Sequence, residues 1–150
     1  MINKATIDLI KSFEGLVLKA YVDPGSGGEP ITIGYGTTRY SVGRKVELGD
    51  VITDEQALEY LTSDVNLFAE KVQALVKTLL TENQLGAITS FAYNVGTGNL
   101  KSSTLLKKVN AKPDDETIHN EFMKWNKAAG KVMKGLTRRR EAESKLYFTK

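Results

Sequence analysis

One apolar stripe sets the architecture. Between Thr53 and Leu79, Leu58, Leu61, Val65, Phe68, Val72, Leu75 and Leu79 recur at spacings of three and four, which puts them on a single face of a helix. Thr53-Asp-Glu-Gln56 is a capping box that marks where this helix starts. The periodicity predicts about 27 residues of continuous helix, long for a globular protein, with a charge-rich face opposite the stripe. Such a rod reads as a strut joining two lobes.

The flanking sequence supplies the lobes. Asn3 caps a short helix whose apolar positions Ile7, Ile10 and Phe13 recur every third residue, and Gly15 supplies the stop, so Glu14 is the last helical residue. From Leu16 to about Val46 the pattern turns β-prone: LVLKAYV and ITIGYG flank the turn-forming PGSGGEP, and RYSVGRKV is a possible third strand. After the strut, a second capping box at Thr81 opens a helix that ends in the glycines of SFAYNVGTGN. Helical stretches follow after Ser102, after Pro113, and from about Thr137 to Phe148. The expectation is an α+β fold: one domain over residues 1–150, a small antiparallel β lobe at about 15–52, and a helical lobe at 53–150 that includes helix 3–14. A chain of 150 residues, 41% hydrophobic, buries roughly 70% of its unfolded surface, enough for a core and a cleft between the lobes.

Composition removes several chemistries. There is no cysteine, so disulfides, thiol nucleophiles and Cys-based metal sites are out, and no metal or cofactor is expected. His119 is the only histidine, lies in the polar stretch DDETIHNEF, and reads as exposed or structural. Lys4, Asp8 and Lys11 interrupt the N-terminal run, which excludes a signal-peptide core, and no stretch reaches membrane-spanning length. The chain is therefore expected to start in a cytoplasm.

Glu14 and Asp23 stand out in what remains. A carboxyl at a helix C-terminus meets the negative end of the dipole, and Phe13 and Leu16 reduce its hydration; both favour the protonated acid. Asp23, beside Pro24 and a glycine-rich turn, is placed for ready ionisation. Two carboxyls with divergent proton affinities suit glycosidic cleavage, one as acid for the leaving oxygen and one as base for water. A helix-end acid and an Asx-type turn residue account for the same pattern.

The motifs add a likeness. E-G-x-x-L-K-A-Y-x-D from Glu14 to Asp23, followed by T-I-G-Y-G from Thr32, resembles the signature of phage-type lysozymes, the endolysin glycoside hydrolases. T-x-x-Q-x-x-A-x-x-S-F-x-Y-N-V-G from Thr81, with Gly98 and S-T-L-L after it, and W-x-x-A-x-G-K-x-x-x-G-L-x-x-R-R-x-x-E from Trp125 to Glu143 continue the likeness over nearly the whole chain. The resemblance implies a lysozyme-like fold and a catalytic set of Glu14, Asp23 and Thr32. It implies cleavage of the β-1,4 bond between N-acetylmuramic acid and N-acetylglucosamine in peptidoglycan, with inversion. Eight residues intervene between Asp23 and Thr32, more than in the shortest members, so GSGGEP lengthens a hairpin tip. Thr37 stands where some relatives carry a histidine. A lytic transglycosylase, which needs a single Glu, and a non-catalytic wall or polyanion binder are the other readings.

Asn94, Gly96 and Gly98 match the family's saccharide-binding floor, and also fit a helix C-cap and turn. Tyr35 would line the cleft or join the core. Trp125 reads as core, and Arg139, Arg140 and Glu143 as an ion-pair network or as substrate contacts. Between Lys124 and Arg140 there are seven basic residues and no acidic one, against a net charge of +3. A basic patch of this kind draws polyanions through interactions that salt screens, and the anionic envelope rather than nucleic acid is the expected partner. By resemblance the protein would act as a monomer, wait in the host cytoplasm for a holin, and reach the wall from the periplasm. A thin-walled Gram-negative host is expected from the absence of a separate wall-binding domain.

Overall fold

The computed structural model describes residues 2–22, 30–40 and 43–150. Helix α1 (Lys4–Glu14) begins where the Asn3 side chain accepts the Thr6 N–H at 3.1 Å, and it ends at Gly15, whose φ of 68° suits a residue without a Cβ. That turn leads directly into β1 (Val17–Val22), which pairs antiparallel with β2 (Ile31–Gly34), Tyr21 opposite Thr32 and Val17 opposite Gly34. The other edge of β1 is tied to residues 50–52: the Ala20 N–H donates to Asp50 O and the Ile52 N–H to Leu18 O, each at 2.9 Å.

The expected third strand in RYSVGRKV is therefore not the one that extends the sheet. Among its described residues it forms one bridge, Arg39 with Lys45, within the segment itself. Tyr40 anchors the segment: its ring is buried and its hydroxyl donates to the Asp50 carboxylate at 2.7 Å.

Helix α2 (Asp54–Leu75) carries the predicted capping box but is 22 residues long and stops before Leu79. The reason is tertiary. Asn110, far along the chain, accepts the Lys77 N–H at 2.8 Å and donates to Leu75 O at 3.2 Å, giving these groups a partner outside the helix. Leu79 is left 96% exposed. The buried face is Ala57, Leu61, Val65, Ala69 and Val72, while Leu58 is exposed, so the true stripe is narrower and richer in alanine than the leucine pattern suggests.

Beyond it come α3 (Glu82–Val95), α4 (Thr97–Ser102), α5 (Thr104–Ala111), α6 (Ile118–Met123), β3 (Lys127–Ala128) paired with β4 (Lys131–Val132), and α7 (Lys134–Tyr147). Three features here depart from the sequence expectation. The glycine-rich segment after α3 re-enters a helix, α4, anchored by fully buried Leu100. The β3–β4 pair is too short to leave a period in the sequence. Helix α7 begins before Thr137, at Lys134.

Two clusters of buried side chains result, with α2 running from one to the other. Ala57, Leu61 and Val65 pack with Ile33, Tyr35 and Ile52 on the sheet side, and Val72 packs with Phe91, Phe122 and Tyr147 on the helical side. Helix α1, grouped with the helical lobe on sequence, inserts Ile7 and Ile10 into the sheet-side core. It is also pressed against α3. Thr6 is fully buried, and a Cβ at Gly86 would lie 1.8 Å from its Oγ1, so only glycine permits this approach. Trp125 stands edge-on to Phe91 at 5.4 Å between centroids, a core role. His119 is exposed on α6, with Nδ1 2.7 Å from Ser144 Oγ.

Candidate active site

The last turn of α1 delivers Glu14 to a cleft of about 430 Å³ between the two cores. Gly15 ends the helix immediately after it, so the carboxyl sits at the helix end and is not followed by another turn. The acid is held from behind. Arg139, on α7 and 4% exposed, donates from Nη1 to Glu14 Oε1 at 3.0 Å, from Nη2 to Ser90 O at 3.2 Å, and from Nε to Glu143 Oε2 at 3.2 Å. Ser90 Oγ donates to the same Glu143 oxygen at 2.6 Å.

Arg140 continues the chain of contacts. Its Nη2 donates to Asn94 Oδ1 at 2.8 Å and its Nη1 to Trp125 O at 3.3 Å. Its Nε lies 2.8 Å from Glu143 Oε1 as an ion contact, without hydrogen-bond alignment. Burial pushes the Glu143 carboxyl up from its ordinary range, against the pull of Arg140, Arg139 and the Ser90 hydroxyl. Two guanidiniums thus answer two carboxylates. R-R-x-x-E works as a scaffold running from Glu14 to Asn94 and not as a substrate-contacting motif. Arg139 and Arg140 also leave the expected basic surface, which reduces to Lys124, Lys127, Lys131, Lys134 and Arg138.

The wall beside Glu14 explains T-I-G-Y-G. Ile33 and Thr37 exchange both backbone hydrogen bonds, at 2.9 and 2.8 Å, closing a tight turn with Gly34 at φ 65° and Gly36 at φ 94°. A Cβ on Gly34 would touch Ile52 and Ala57 at 3.3 and 3.4 Å, and one on Gly36 would sit 3.5 Å from Glu14 Oε2. The first glycine lets the sheet close onto α2, and the second keeps space at the acid. Tyr35 between them is buried in the sheet-side core and does not reach the cleft wall. Thr37, the histidine position of some relatives, is buried with its Oγ1 lacking a partner among the described residues.

Asp23 lies outside the described residues. Thr32 is 8% exposed on β2, and its hydroxyl donates to Pro30 O at 3.3 Å. Asn94 is exposed on the cleft wall, its carbonyl committed to Arg140, while its amide NH2 has no acceptor among the described residues. Gly96, at φ 97°, is the C-cap of α3, and its N–H donates to Ala92 O at 2.8 Å; Gly98 lies in the first turn of α4. Neither glycine is among the residues lining this cleft.

Five cleft residues escaped the sequence reading: Thr38, Arg39, Asp64, Phe68 as a cleft residue, and Tyr93. Asp64 had a usable signal, since its spacing from Leu61 and to Phe68 puts an acid beside the apolar stripe. Burial raises its carboxyl to about 6. Burial together with the nearby Asp64 and Glu14 carboxylates pushes the Tyr93 hydroxyl up. A wider hollow of about 580 Å³ opens beside α6 and α7, but its histidine, His119, is already bonded to Ser144.

This arrangement has close counterparts. The family model described as phage lysozyme matches residues 11–143, from within α1 to Glu143 of the scaffold. The endolysin of Bacillus phage B103 is 47% identical over 148 residues, covering 99% of this chain and 54% of the relative. The chain therefore spans about half the length of that relative. Among solved structures, the endolysin from Escherichia coli O157:H7 phage FAHEc1 superposes with a TM-score of 0.86 at 38% identity, covering 99% of this chain and 93% of that one. The muramidase domain of SpmX from Asticaccaulis excentricus gives 0.83 at 34%, covering 100% and 99%. With its motifs, its two-lobed lysozyme-like fold and its Glu14 scaffold all within these matches, the chain belongs to the phage lysozyme family.

Proposed function

We propose that this chain is the catalytic unit of an endolysin that hydrolyses peptidoglycan as an N-acetylmuramidase, cutting the β-1,4 bond between N-acetylmuramic acid and N-acetylglucosamine during host lysis. The observation that carries the reading is Glu14: a carboxyl at a helix end, on the wall of a cleft between the two cores, oriented by a buried arginine. A general acid must hold its geometry while the leaving oxygen takes the proton, and the Arg139 anchor supplies that rigidity. Family membership and its likeness to an endolysin and to a muramidase domain support the substrate class.

In this mechanism Glu14 protonates the glycosidic oxygen. Asp23, with the Thr32 hydroxyl, holds the water that attacks the anomeric carbon from the opposite face, and the product is inverted. An inverting pair needs roughly 6.5 to 9.5 Å between carboxyls so that water fits. Access to the wall would follow membrane permeabilisation by a holin-type partner, with the protein acting as a monomer. The five exposed cations from Lys124 to Arg138 would add attraction to the anionic envelope. Relatives come from phages of Bacillus and of Escherichia coli, so membership does not select the thin-walled host expected above.

The test is mass spectrometry of the fragments released from purified peptidoglycan, with Glu14→Gln alongside. Wild type should release fragments ending in reducing muramic acid. The variant should lose at least about a hundredfold in rate while keeping its fold, because the glutamine oxygen still offers Arg139 an acceptor. Anhydro-muramic ends would make the enzyme a transglycosylase, and unchanged cleavage by the variant would remove Glu14 from the mechanism.

A further inference from the structure

A second carboxyl shares the cleft with Glu14, and the mechanism does not use it. Asp64 projects from α2, the helix that joins the two cores, and lines the same cavity. Its surroundings contrast with those of Glu14. Among the described residues its carboxylate has no hydrogen bond and no ion pair, and burial is the sole cause of its raised pKa, to about 6. The titratable groups around the cleft are Glu14 from α1, Tyr93 from α3, Arg39 from the segment after β2, and Arg139 from α7 behind Glu14. Arg139 is committed to Glu14 and Glu143, and Arg39 donates to the backbone oxygen of Gly43.

A half-buried carboxylate left without donors weakens the fold at neutral pH. Its donors among the described residues being absent, those that reach it come from solvent or from a ligand that displaces solvent in the cleft. A sugar chain brings hydroxyls and acetamido N–H groups, and a carboxylate is an acceptor for both.

We propose that Asp64 is a saccharide-binding residue, accepting hydrogen bonds from hydroxyl or acetamido N–H donors of a sugar unit seated beside Glu14. The ligand class rests on the hydrolase reading, but sugar binding can be measured without cleavage. Asp64 then works in its ionised form and acts on affinity and not on the bond-breaking step. Because its folded-state pKa lies above the unfolded value, its contribution to stability is fully present below the unfolded pKa and is lost as pH rises towards about 6. Replacing it should therefore raise stability at neutral pH while lowering affinity. A purely structural residue would move both downwards.

The experiment compares wild type with Asp64→Asn in three readouts: titration with an N-acetylglucosamine oligosaccharide, kinetics on soluble glycan strands, and thermal unfolding at pH 7. The expected result is sugar affinity and KM weakened about tenfold, kcat within about threefold, and a Tm that rises. Wild-type affinity should also fall as the pH drops below about 6, and the variant should lose that dependence. Affinity within twofold of wild type, or a Tm that falls together with affinity, would overturn the proposal. If wild type binds the oligosaccharide through Asp64 yet releases no fragments from peptidoglycan, the hydrolase reading fails and the assignment of Asp64 stands.

Discussion

The two walls of the cleft are built on opposite principles. Behind Glu14, the charged groups are bound to one another: Arg139 spans Glu14, Ser90 and Glu143, and Arg140 carries the connection to Asn94, with the Arg140 Nε–Glu143 Oε1 pair held as an ion contact without hydrogen-bond alignment. On the side of α2 and the turn after β2, polar groups are left over. Asp64 has no partner among the described residues, and Thr37 Oγ1 is buried without one. The first wall fixes an acid in place, and the second keeps the Asp64 carboxylate unspent in the space a ligand would fill, with the Thr37 hydroxyl buried behind that wall. A rigid side and an unsatisfied side together make a binding cleft, whereas two satisfied walls would make only an interface between lobes.

This contrast can be broken most forcefully at Arg139. Arg139→Met removes the cation between two carboxylates and leaves fully buried Glu143 with Arg140 as its single cation beside the Ser90 hydroxyl, so urea denaturation should register a loss of about 3 to 5 kcal/mol. Cleavage should fall as well, since Glu14 loses its anchor. A loss below about 1 kcal/mol would mean that the first wall is not held by this network.

Gly86→Ala tests the same wall from a distance. The new methyl would collide with Thr6 of α1, whose last residue is Glu14, so a destabilisation of about 1 to 3 kcal/mol should come with a lower kcat. The α3 helix itself would gain from alanine, which makes any net loss attributable to the α1 contact. Stability equal to wild type in denaturant would show that α1 can shift freely.

The smallest effect belongs to the second wall and has the opposite sign. Thr37→Val keeps the shape and removes a buried hydroxyl that lacks a partner among the described residues, so it should stabilise by up to about 1 kcal/mol. A loss of that size would instead reveal a partner for the hydroxyl and weaken the contrast between the walls.

Much of the path to Glu14 was written locally. Asn3, three apolar residues and Gly15 define α1 locally, and Thr53 with Gln56 and Thr81 with Gln84 each set a helix start through contacts three residues apart. Such caps are legible because donor and acceptor are sequence neighbours. Helix ends that depend on distant groups were not. The stop of α2 is imposed by Asn110, and a stripe running on to Leu79 gives no sign of it. The short α4 and the β3–β4 pair were missed because six residues and two residues hold too little of any period to read.

For the site, the sequence by itself determined the identity and order of the chemical groups: Glu14 at a helix end, the paired glycines beside it, and R-R-x-x-E near the C-terminus. Tertiary structure decided what each group does. Arg139 and Arg140 are adjacent in the chain and carry the same charge, yet burial turns one towards Glu14 and the other towards Asn94, and both away from the basic surface. Tyr35 goes to the core because Gly34 and Gly36 close the turn around it, and Asp64 reaches the cleft because the sheet and α3 meet α2 there. The physical reason is range. Capping, turn conformation and periodicity act over a few residues, whereas the solvation and partnering of a charge depend on every element that packs around it.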